Sequence, residues 1–356
     1  MIDKLGSRHS RLVRNVALIC AFCLVAMTVA CARESGAPKN DRSIAEFFAM
    51  NTLMRIEVRG KEAESAIEAG RAEIYRLERL FSRTDPQSEV SAINNAAGKT
   101  WTTVSDETYF LIRTAEEIRV RTGGAFDITV APVMDMWGFT DGLHRIPGDR
   151  EIKDVLALVG GDRIVLEEDG NRVMLKSAGM SLDLGGIAKG YAGDRVLSIL
   201  HDYDIESALI NLGGNISTIG RRPSGSAFRI AIMDPEDRSK YLGTLAGADN
   251  HIVTSGGYER FFEKDGEVYI HIMDPQTARP AESDLLSVTV VGGKGIECDI
   301  LSTALFVMGK DRAIEYWSAH RNFGLVLADS TGALYVSEDL EKAFTPTEGK
   351  VVTFFD

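Results

Sequence analysis

The sequence has 356 residues, an apolar fraction of 44% and a formal net charge of −12. Length and apolar content are sufficient for a large core in one or two lobes. The acidic balance argues against nucleic acid as a partner, because binding to a phosphate backbone relies on clustered lysine and arginine.

The N-terminal residues have the pattern of an export signal. Basic residues at positions 4, 8, 11 and 14 precede an apolar run over 16–30, which is too short to span a bilayer comfortably. Thr28, Val29 and Ala30 precede Cys31 in a junction that resembles a lipoprotein cleavage box. We therefore predict a signal peptide (1–30), lipidation at Cys31 and a tether (31–44), with ordinary signal cleavage as the alternative. This pattern predicts a periplasm-facing lipoprotein of the bacterial cell envelope, on the outer or inner membrane, with a mature charge of about −15.

Downstream, apolar residues recur at helical spacing over 61–81, which predicts an amphipathic helix. A second helix is predicted over 107–121 with Asp106 as its N-cap. A turn signal at 168–171 predicts a hairpin over 163–176. Further strands are predicted at 207–219, 228–233, 268–273 and 285–291 and as a pair around 329–332. Because helices and strands do not alternate regularly, the sequence favours an α+β class, with a single domain over 45–356.

The segment SLDLGGIAKGYAGD (181–194) carries the first chemical signal. An apolar strand ends at Asp183, turns through Gly185 and Gly186, and enters a helix with Lys189 in its first turn. Free backbone N–H groups, the positive end of a helix and an ammonium would then surround one point, which suits a polyphosphate. A tight turn without a ligand is the alternative.

The segment ECDILSTALFVMG (297–309) carries the second signal. Asp299 and Thr303 are spaced i, i+4, so on a helix their oxygens project from the same face. A carboxylate and a hydroxyl are hard oxygen ligands that suit Mg²⁺ bound together with substrate phosphates. A capping or solvated pair is the alternative.

Together with five other motifs in chain order, these two segments resemble the ApbE family of FAD:protein FMN transferases, also called flavin transferases. The other motifs are FSRTDPQSEVSAIN (81–94), GAFDITVAPVMDMWGF (124–139), ALINLGGNISTIG (208–220), TSGGYERFF (254–262) and HIMDPQTARP (271–280). The resemblance covers nearly the whole mature chain. It implies a single globular domain of mixed sheets and helices, with the flavin site between two lobes.

The resemblance also implies an activity. It is the Mg²⁺-dependent transfer of the FMN moiety of FAD to a threonine or serine hydroxyl of an exported acceptor flavoprotein, with release of AMP. Two alternatives stay open at this point. One is a Mg²⁺-dependent FAD pyrophosphatase that gives FMN and AMP, and the other is a non-catalytic FAD-binding lipoprotein.

The resemblance assigns roles to particular residues. His271 is implied as the base that activates the acceptor hydroxyl, with Asp127 or Asp183 as alternatives, and Lys189 adds positive charge. The implied metal positions are Gly186 through its carbonyl, Asp299, Ser302 and Thr303. The implied FAD contacts are Met50, Thr84, Ala125, Phe126, Asp127, Asp183, Lys189 and Ile272.

Three positions depart from the family pattern. Asn51 replaces a glycine, Thr84 stands where an aromatic residue is common, and Ala278 replaces the usual glycine of the motif at 271–280. Ala278 tests the turn geometry, because alanine resists positive φ.

Overall fold

The computed structural model describes residues 41–356, of which Arg42–Asp356 form one compact unit. The predicted signal peptide and Cys31 lie outside the described residues. The first strand begins at Arg42 and pairs residue by residue with the second, so residues 42–44 belong to the folded unit rather than to the predicted tether. None of the helices in the described part has the length and apolar character needed to cross a membrane.

The described chain contains nineteen strands and eight α-helices. The strands are β1 Arg42–Ala49, β2 Thr52–Gly60, β3 Thr102–Thr103, β4 Ile164–Glu167, β5 Arg172–Leu175, β6 Ile205–Leu212, β7 Asn215–Gly220, β8 Phe228–Met233, β9 Tyr241–Gly247, β10 His251–Gly256, β11 Phe261–Lys264, β12 Glu267–Ile270, β13 Met273–Asp274, β14 Arg279–Pro280, β15 Leu285–Gly292, β16 Gly324–Asp329, β17 Leu334–Ser337, β18 Phe344–Pro346 and β19 Val352–Phe355. The helices are α1 Ala63–Phe81, α2 Glu89–Ala96, α3 Asp106–Arg121, α4 Ala131–Trp137, α5 Asp149–Leu156, α6 Ala188–Leu200, α7 Gly295–Met308 and α8 Lys310–His320.

Nine strands form the main sheet, in the order β1-β2-β6-β7-β10-β15-β16-β17-β19. Every neighbouring pair is antiparallel except β17 and β19. Two three-stranded sheets, β18-β9-β8 and β3-β5-β4, and two small hairpins complete the unit. This arrangement of mixed sheets and separate helices confirms the α+β class.

The two faces of the main sheet are covered differently. On β2 the buried side chains of Met54, Ile56 and Val58 alternate with more exposed ones, and they pack with α1 and α6 into the largest core. A second core lies between the main sheet and the β8-β9-β18 sheet, with Ile252 and Leu245 among its members. All of this core lies within Arg42–Asp356, so this unit has what it needs to fold alone.

Most predicted elements are present, with changes at their ends, but the strand predicted to end at Asp183 is not formed, because residues 181–184 have no regular secondary structure. Helix α1 confirms the amphipathic helix, and β4 and β5 form the predicted hairpin. Helix α3 begins one residue early, and its N-cap is Ser105 rather than Asp106, because the Ser105 hydroxyl accepts a hydrogen bond from the Thr108 N–H at 3.3 Å. The strand predicted over 207–219 is the β6–β7 hairpin.

Tight turns explain two departures from the family pattern. Met50 and Asn51 link β1 to β2 with φ of 46° and 60°, values that asparagine tolerates better than most residues. Ala278 adopts φ of 54°, and its carbonyl accepts a hydrogen bond from the buried Trp137 indole at 2.9 Å. The turn therefore keeps a left-handed geometry without glycine, at a cost of about 1–2 kcal/mol.

Candidate active site

The two segments that carry the sequence signals pack directly on each other, where α6 crosses α7. The N–H of Gly190 on α6 donates to Oδ2 of Asp299 on α7 at 2.8 Å. A Cβ at Gly190 would lie 2.2 Å from the Gly295 carbonyl oxygen and 2.7 Å from the Asp299 Cβ. The crossing is therefore so close that glycine is required at this position, and it fixes where the Asp299 carboxylate lies.

Three hydroxyl groups lie together next to this crossing. The Ser255 hydroxyl on β10 lies 2.8 Å from that of Ser302 and 3.2 Å from that of Thr303. Ser302 is fully buried and donates to the Asp299 carbonyl oxygen at 2.9 Å, so its hydroxyl is committed within the protein. Thr303 is thus the more available of the two predicted hydroxyl ligands. Sequence analysis did not single out Ser255, because its contact with α7 depends on the sheet.

The donor set at this point fits Mg²⁺. Asp299 is 4% exposed, and its Oδ1 accepts no hydrogen bond from the described residues. The neighbouring groups are hydroxyls, hard oxygen donors that suit Mg²⁺ rather than a soft metal. The described residues contain no group of three His, Cys, Asp or Glu side chains that could hold a metal ion. A metal here would therefore take part of its shell from substrate and water, as Mg²⁺ usually does.

A second group of charged residues lies at the start of α6. Asp183 bonds the Gly185 N–H through Oδ1 at 2.7 Å and pairs with the Arg83 guanidinium through Oδ2 at 2.9 Å. Arg83 also pairs with Asp135 at 2.7 Å. As predicted, Lys189 lies in the first turn of α6, where its ammonium donates to the Gly185 carbonyl at 3.1 Å. Lys189 and Gly190 are consecutive, so this charged group adjoins the Asp299 site.

His271 is held in one tautomer by a backbone bond. Its Nδ1 lies 3.0 Å from the Arg260 carbonyl oxygen, which can only accept, so Nδ1 carries the hydrogen. In the neutral ring Nε2 then keeps its lone pair. Burial, followed by the positive charges of Arg260 and Lys189, lowers the pKa of His271 to about 4. His271 is therefore a neutral, proton-accepting group at physiological pH.

Arg260 is a cation that sequence analysis did not assign, and it is exposed as a residue although its guanidinium is partly covered. Among the described residues it forms no ion pair with a carboxylate, and its guanidinium donates to the Phe139 carbonyl at 3.2 Å. Burial lowers the pKa of Arg260, while the negative charge of Asp183 opposes this effect. A partly desolvated guanidinium without a paired anion is suited to an anionic ligand. The motif at 254–262 does not by itself show whether Arg260 has a paired anion.

The predicted residues of the 125–127 stretch are held inside the protein. The Asp127 carboxylate accepts from the Thr129 N–H and hydroxyl at 2.8 and 2.6 Å, and from the Gly161 N–H at 2.9 Å. This bonding favours a bracing role over proton transfer. The Phe126 ring packs on Gly186, where a Cβ would lie 2.9 Å from it. Ala125 and Ile272 are also buried.

Met50 and Thr84 lie at two further points. The Met50 N–H donates to Glu78 at 2.7 Å, which holds the β1–β2 turn against α1. Thr84 is exposed next to Arg83, with its hydroxyl 3.2 Å from that of Ser82. Their predicted contacts with FAD stay predictions. The buried side-chain amide nitrogen of Asn215 has no hydrogen-bond partner among the described residues.

A chain of polar residues, Asp194, His251 and Ser217, supports the N-terminus of α7. Asp194 on α6 accepts from the Gly295 and Ile296 N–H groups at 2.6 and 2.9 Å, which caps the N-terminus of α7. His251 Nε2 lies 3.1 Å from the Asp194 carboxylate, and its Nδ1 lies 2.8 Å from the Ser217 hydroxyl. His251 and Ser217 are buried, so this Ser–His–Asp arrangement acts as a brace rather than a nucleophilic site.

An α+β unit that gathers cations, a neutral histidine and hard oxygen ligands at one helix start is typical of an enzyme that acts on a polyphosphate. The ApbE family model matches residues 50–327, and the chain belongs to the ApbE family. It is 33% identical over 276 residues to the FAD:protein FMN transferase of Klebsiella pneumoniae (strain 342), covering 77% of this chain and 85% of that protein. Identity to the FAD:protein FMN transferase of Salmonella typhimurium is 31% over 311 residues, covering 85% and 88%.

Solved structures agree with this assignment. The ApbE protein of Thermotoga maritima superposes with a TM-score of 0.79 at 34% identity, covering 85% of this chain and 99% of that one. The flavin transferase ApbE of Vibrio cholerae superposes with a TM-score of 0.76 at 27% identity, with the same coverage. These likenesses confirm the fold that the seven sequence motifs implied.

Proposed function

We propose that this chain transfers the FMN moiety of FAD to a threonine or serine hydroxyl of an acceptor flavoprotein and releases AMP, with Mg²⁺ required. One observation carries the proposal: the positive charge of Lys189 acts on the His271 ring, whose Nε2 forms no hydrogen bond with the described residues, and the next residue, Gly190, bonds Asp299. The relatives named as FAD:protein FMN transferases supply the reaction class.

The residues at the start of α6 are suited to binding the FAD pyrophosphate. Lys189 and Arg260 supply positive charge, and the N-terminus of α6 adds the positive helix end. The N–H groups of Gly185, Ile187 and Ala188 already donate within the protein. Asp183 and Arg83 form an ion pair that fixes the shape of this turn. These fixed charges would stabilise the charge that develops on the phosphate oxygens during transfer.

Asp299 and Thr303, with Ser302 and the Gly186 carbonyl as further candidates, would hold Mg²⁺. When bound, the ion supplies charge neutralisation at the phosphate oxygens. In the transfer step the acceptor hydroxyl oxygen bonds to the phosphorus of the FMN phosphate. The bond from that phosphorus to the bridging oxygen breaks, and AMP leaves with the oxygen. His271 Nε2 accepts the hydroxyl proton.

The proposal also includes the location of the enzyme. The sequence pattern of residues 1–31 supports a lipid anchor on Cys31 and a domain that faces the periplasm. The acceptors would then be exported flavoproteins. Replacing Cys31→Ser should release the protein from the membrane fraction, and continued membrane association of this variant would contradict the anchor.

Transfer is tested with FAD, Mg²⁺ and an acceptor domain that carries a candidate threonine, followed by intact mass and AMP release. The expected result is a mass gain of one FMN with an equal amount of AMP. The control is the same acceptor with its threonine replaced by alanine, which should gain no mass. AMP without acceptor modification would show a pyrophosphatase, and bound FAD without either product would show a carrier.

A further inference from the structure

A cavity of about 440 Å³ lies on the side of the main sheet away from α6 and α7. Four arginines line it: Arg42 from β1, Arg59 from β2, Arg222 from the loop after β7, and Arg229 from β8. Glu57 is the carboxylate in its wall. The remaining wall is partly apolar, with Leu209 and Phe228 among its residues.

The positive charge in this arginine cavity is only partly compensated. Glu57 pairs with Arg42 at 2.6 Å and with Arg55 at 3.4 Å. Arg59 and Arg222 form no ion pair with any residue in the described part of the chain, and within the same part the guanidinium of Arg229 hydrogen-bonds only to the Thr244 hydroxyl, at 3.5 Å. Such a cluster is unusual in a chain whose net charge is −12. Guanidinium groups that converge without anions suit phosphate, which they bind through paired N–H donors.

The surroundings favour a membrane surface as the source of that phosphate. Directly opposite residues of the β1–β2 hairpin share a face, so Ile44 lies beside Glu57 and Phe48 lies beside Leu53, on the same side as Arg42 and Arg59. Ile44 is 43% exposed, Phe48 63% and Leu53 65%. Arginines combined with exposed apolar side chains are typical of surfaces that bind the bilayer interface.

The position of Arg42 in the chain agrees with a membrane surface as the binding partner. Arg42 is the first residue of β1 and follows Cys31 by eleven positions. Even a fully extended segment of that length reaches only about 40 Å. A lipid on Cys31 would therefore keep Arg42, which lines the arginine cavity, within about 40 Å of the bilayer, while the candidate active site lies on the opposite side of the sheet.

From these observations we infer that the arginine cavity and the adjoining apolar face of the β1–β2 hairpin dock on the phosphate headgroups of an anionic bilayer. The inference rests on the proposed anchoring at Cys31 for the orientation of the domain. Docking would turn the FAD site away from the membrane, toward acceptor domains.

The test uses residues 42–356, which contain the whole described core and carry no lipid site. Sedimentation with phosphatidylglycerol-containing vesicles at low salt should show binding, and phosphatidylcholine vesicles should show little. Arg59→Glu combined with Arg222→Glu should weaken binding about tenfold or more, since each basic residue near an anionic surface contributes roughly fivefold. A milder pair, Arg59→Gln with Arg222→Gln, should give a smaller loss.

The matched control is Arg113→Glu combined with Arg150→Glu, which makes the same charge change on other exposed elements. This control should keep more of the vesicle binding. Equal loss in both double variants, or no binding by the wild type, would overturn the inference. Inhibition by inorganic phosphate without any vesicle binding would identify a free-anion site and overturn it as well. Thermal unfolding checks that each variant is folded, and FMN transfer to a soluble acceptor tests the proposed function separately.

Discussion

At the scale of single residues, His271 and Arg260 act as one unit. The backbone carbonyl of Arg260 fixes the histidine tautomer, and the Arg260 guanidinium helps to lower the pKa of the ring. Bound FAD phosphates would add negative charge, which raises the pKa of a histidine. The free protein and the FAD complex should therefore differ in the pH at which the ring gains its proton.

The first prediction concerns this pKa. In the free protein the acid limb of kcat/KM for FMN transfer should lie near pH 4, because His271 accepts a proton only when it is neutral. Arg260→Gln should move this limb to higher pH, because it removes a positive charge that acts on the His271 ring. It should also raise KM for FAD, because the same charge is proposed to attract the FAD phosphates. Arg113→Gln, an exposed substitution, is the control. An NMR titration of the His271 ring measures the same pKa directly, and an unchanged value in Arg260→Gln would contradict the coupling.

The second prediction concerns Asp299. Asp299→Asn keeps an oxygen that can accept from the Gly190 N–H but loses the charge, so the fold should survive while metal binding falls. Mn²⁺ binding measured by electron paramagnetic resonance should weaken about tenfold or more, and FMN transfer should fall about a hundredfold. Glu297→Gln on the same helix serves as the control, because its carboxylate pairs with Lys294 instead. Normal Mn²⁺ affinity in Asp299→Asn would remove Asp299 from the metal site.

At the scale of elements, α6 and α7 form the frame of the site. They touch through backbone at Gly190 and Gly295, and they are tied on one side by Asp299 and on the other by Asp194. The position of α7 therefore depends on two carboxylates whose partners lie on the neighbouring helix. A change in either tie should alter the metal site as well as the stability.

The third prediction concerns the close crossing. Gly190→Ala should lower the free energy of unfolding by about 1–3 kcal/mol, because its methyl group would overlap the Gly295 carbonyl and the Asp299 side chain. Gly293→Ala is the matched control, since no atom lies within 4 Å of a Cβ built there. Urea unfolding measures both. Equal stability of the two variants would show that the helices separate easily.

The fourth prediction distinguishes the brace from an ordinary helix cap. Asp194→Ala should cost about 1–2 kcal/mol of stability and also weaken Mn²⁺ binding, because it uncaps the helix that carries Asp299. Ser105→Ala uncaps α3 and should cost a similar amount while leaving Mn²⁺ binding unchanged. A variant of Asp194 that is destabilised yet binds Mn²⁺ normally would limit the brace to a structural role.

Sequence patterns predicted the elements whose signal is local. The apolar period of α1 and the turn between β4 and β5 depend on residues that are close together in the sequence. Both predictions were confirmed. The N-cap of α3 was misplaced by one residue, because Ser105 and Asp106 are both good caps and only the backbone geometry separates them.

Part of the candidate site was also predicted, because those residues stand in local sequence motifs. Asp183 and Lys189 stand in one motif around the Gly185–Gly186 turn, and Asp299 and Thr303 are spaced i, i+4, so each pair could be identified from the sequence. Ser255 and His251 acquire their roles through the partners that the sheet brings to them. The role of Arg260 depends on the lack of a paired anion among the described residues, which a motif does not show.

At the scale of the whole molecule, every described residue of the candidate site belongs to Arg42–Asp356. The fifth prediction is therefore that this unit alone transfers FMN to a soluble acceptor with the kcat of the full chain. The measurement is AMP release from matched preparations at saturating FAD. A large loss in the shorter chain would show that residues 1–41 contribute to catalysis.

The order of strands in the main sheet has a consequence for folding. Strand β2 pairs with β6, so Met54 faces Leu212, and β6 arrives only after α1 to α6 have been synthesised. Pairing across such long sequence separations is slow, because the chain loses loop entropy before the contact stabilises it. The N-terminal hairpin would remain without its sheet neighbour for much of synthesis. The location proposed above would require passage through a translocation channel, and such a delay would keep the chain unfolded for that passage.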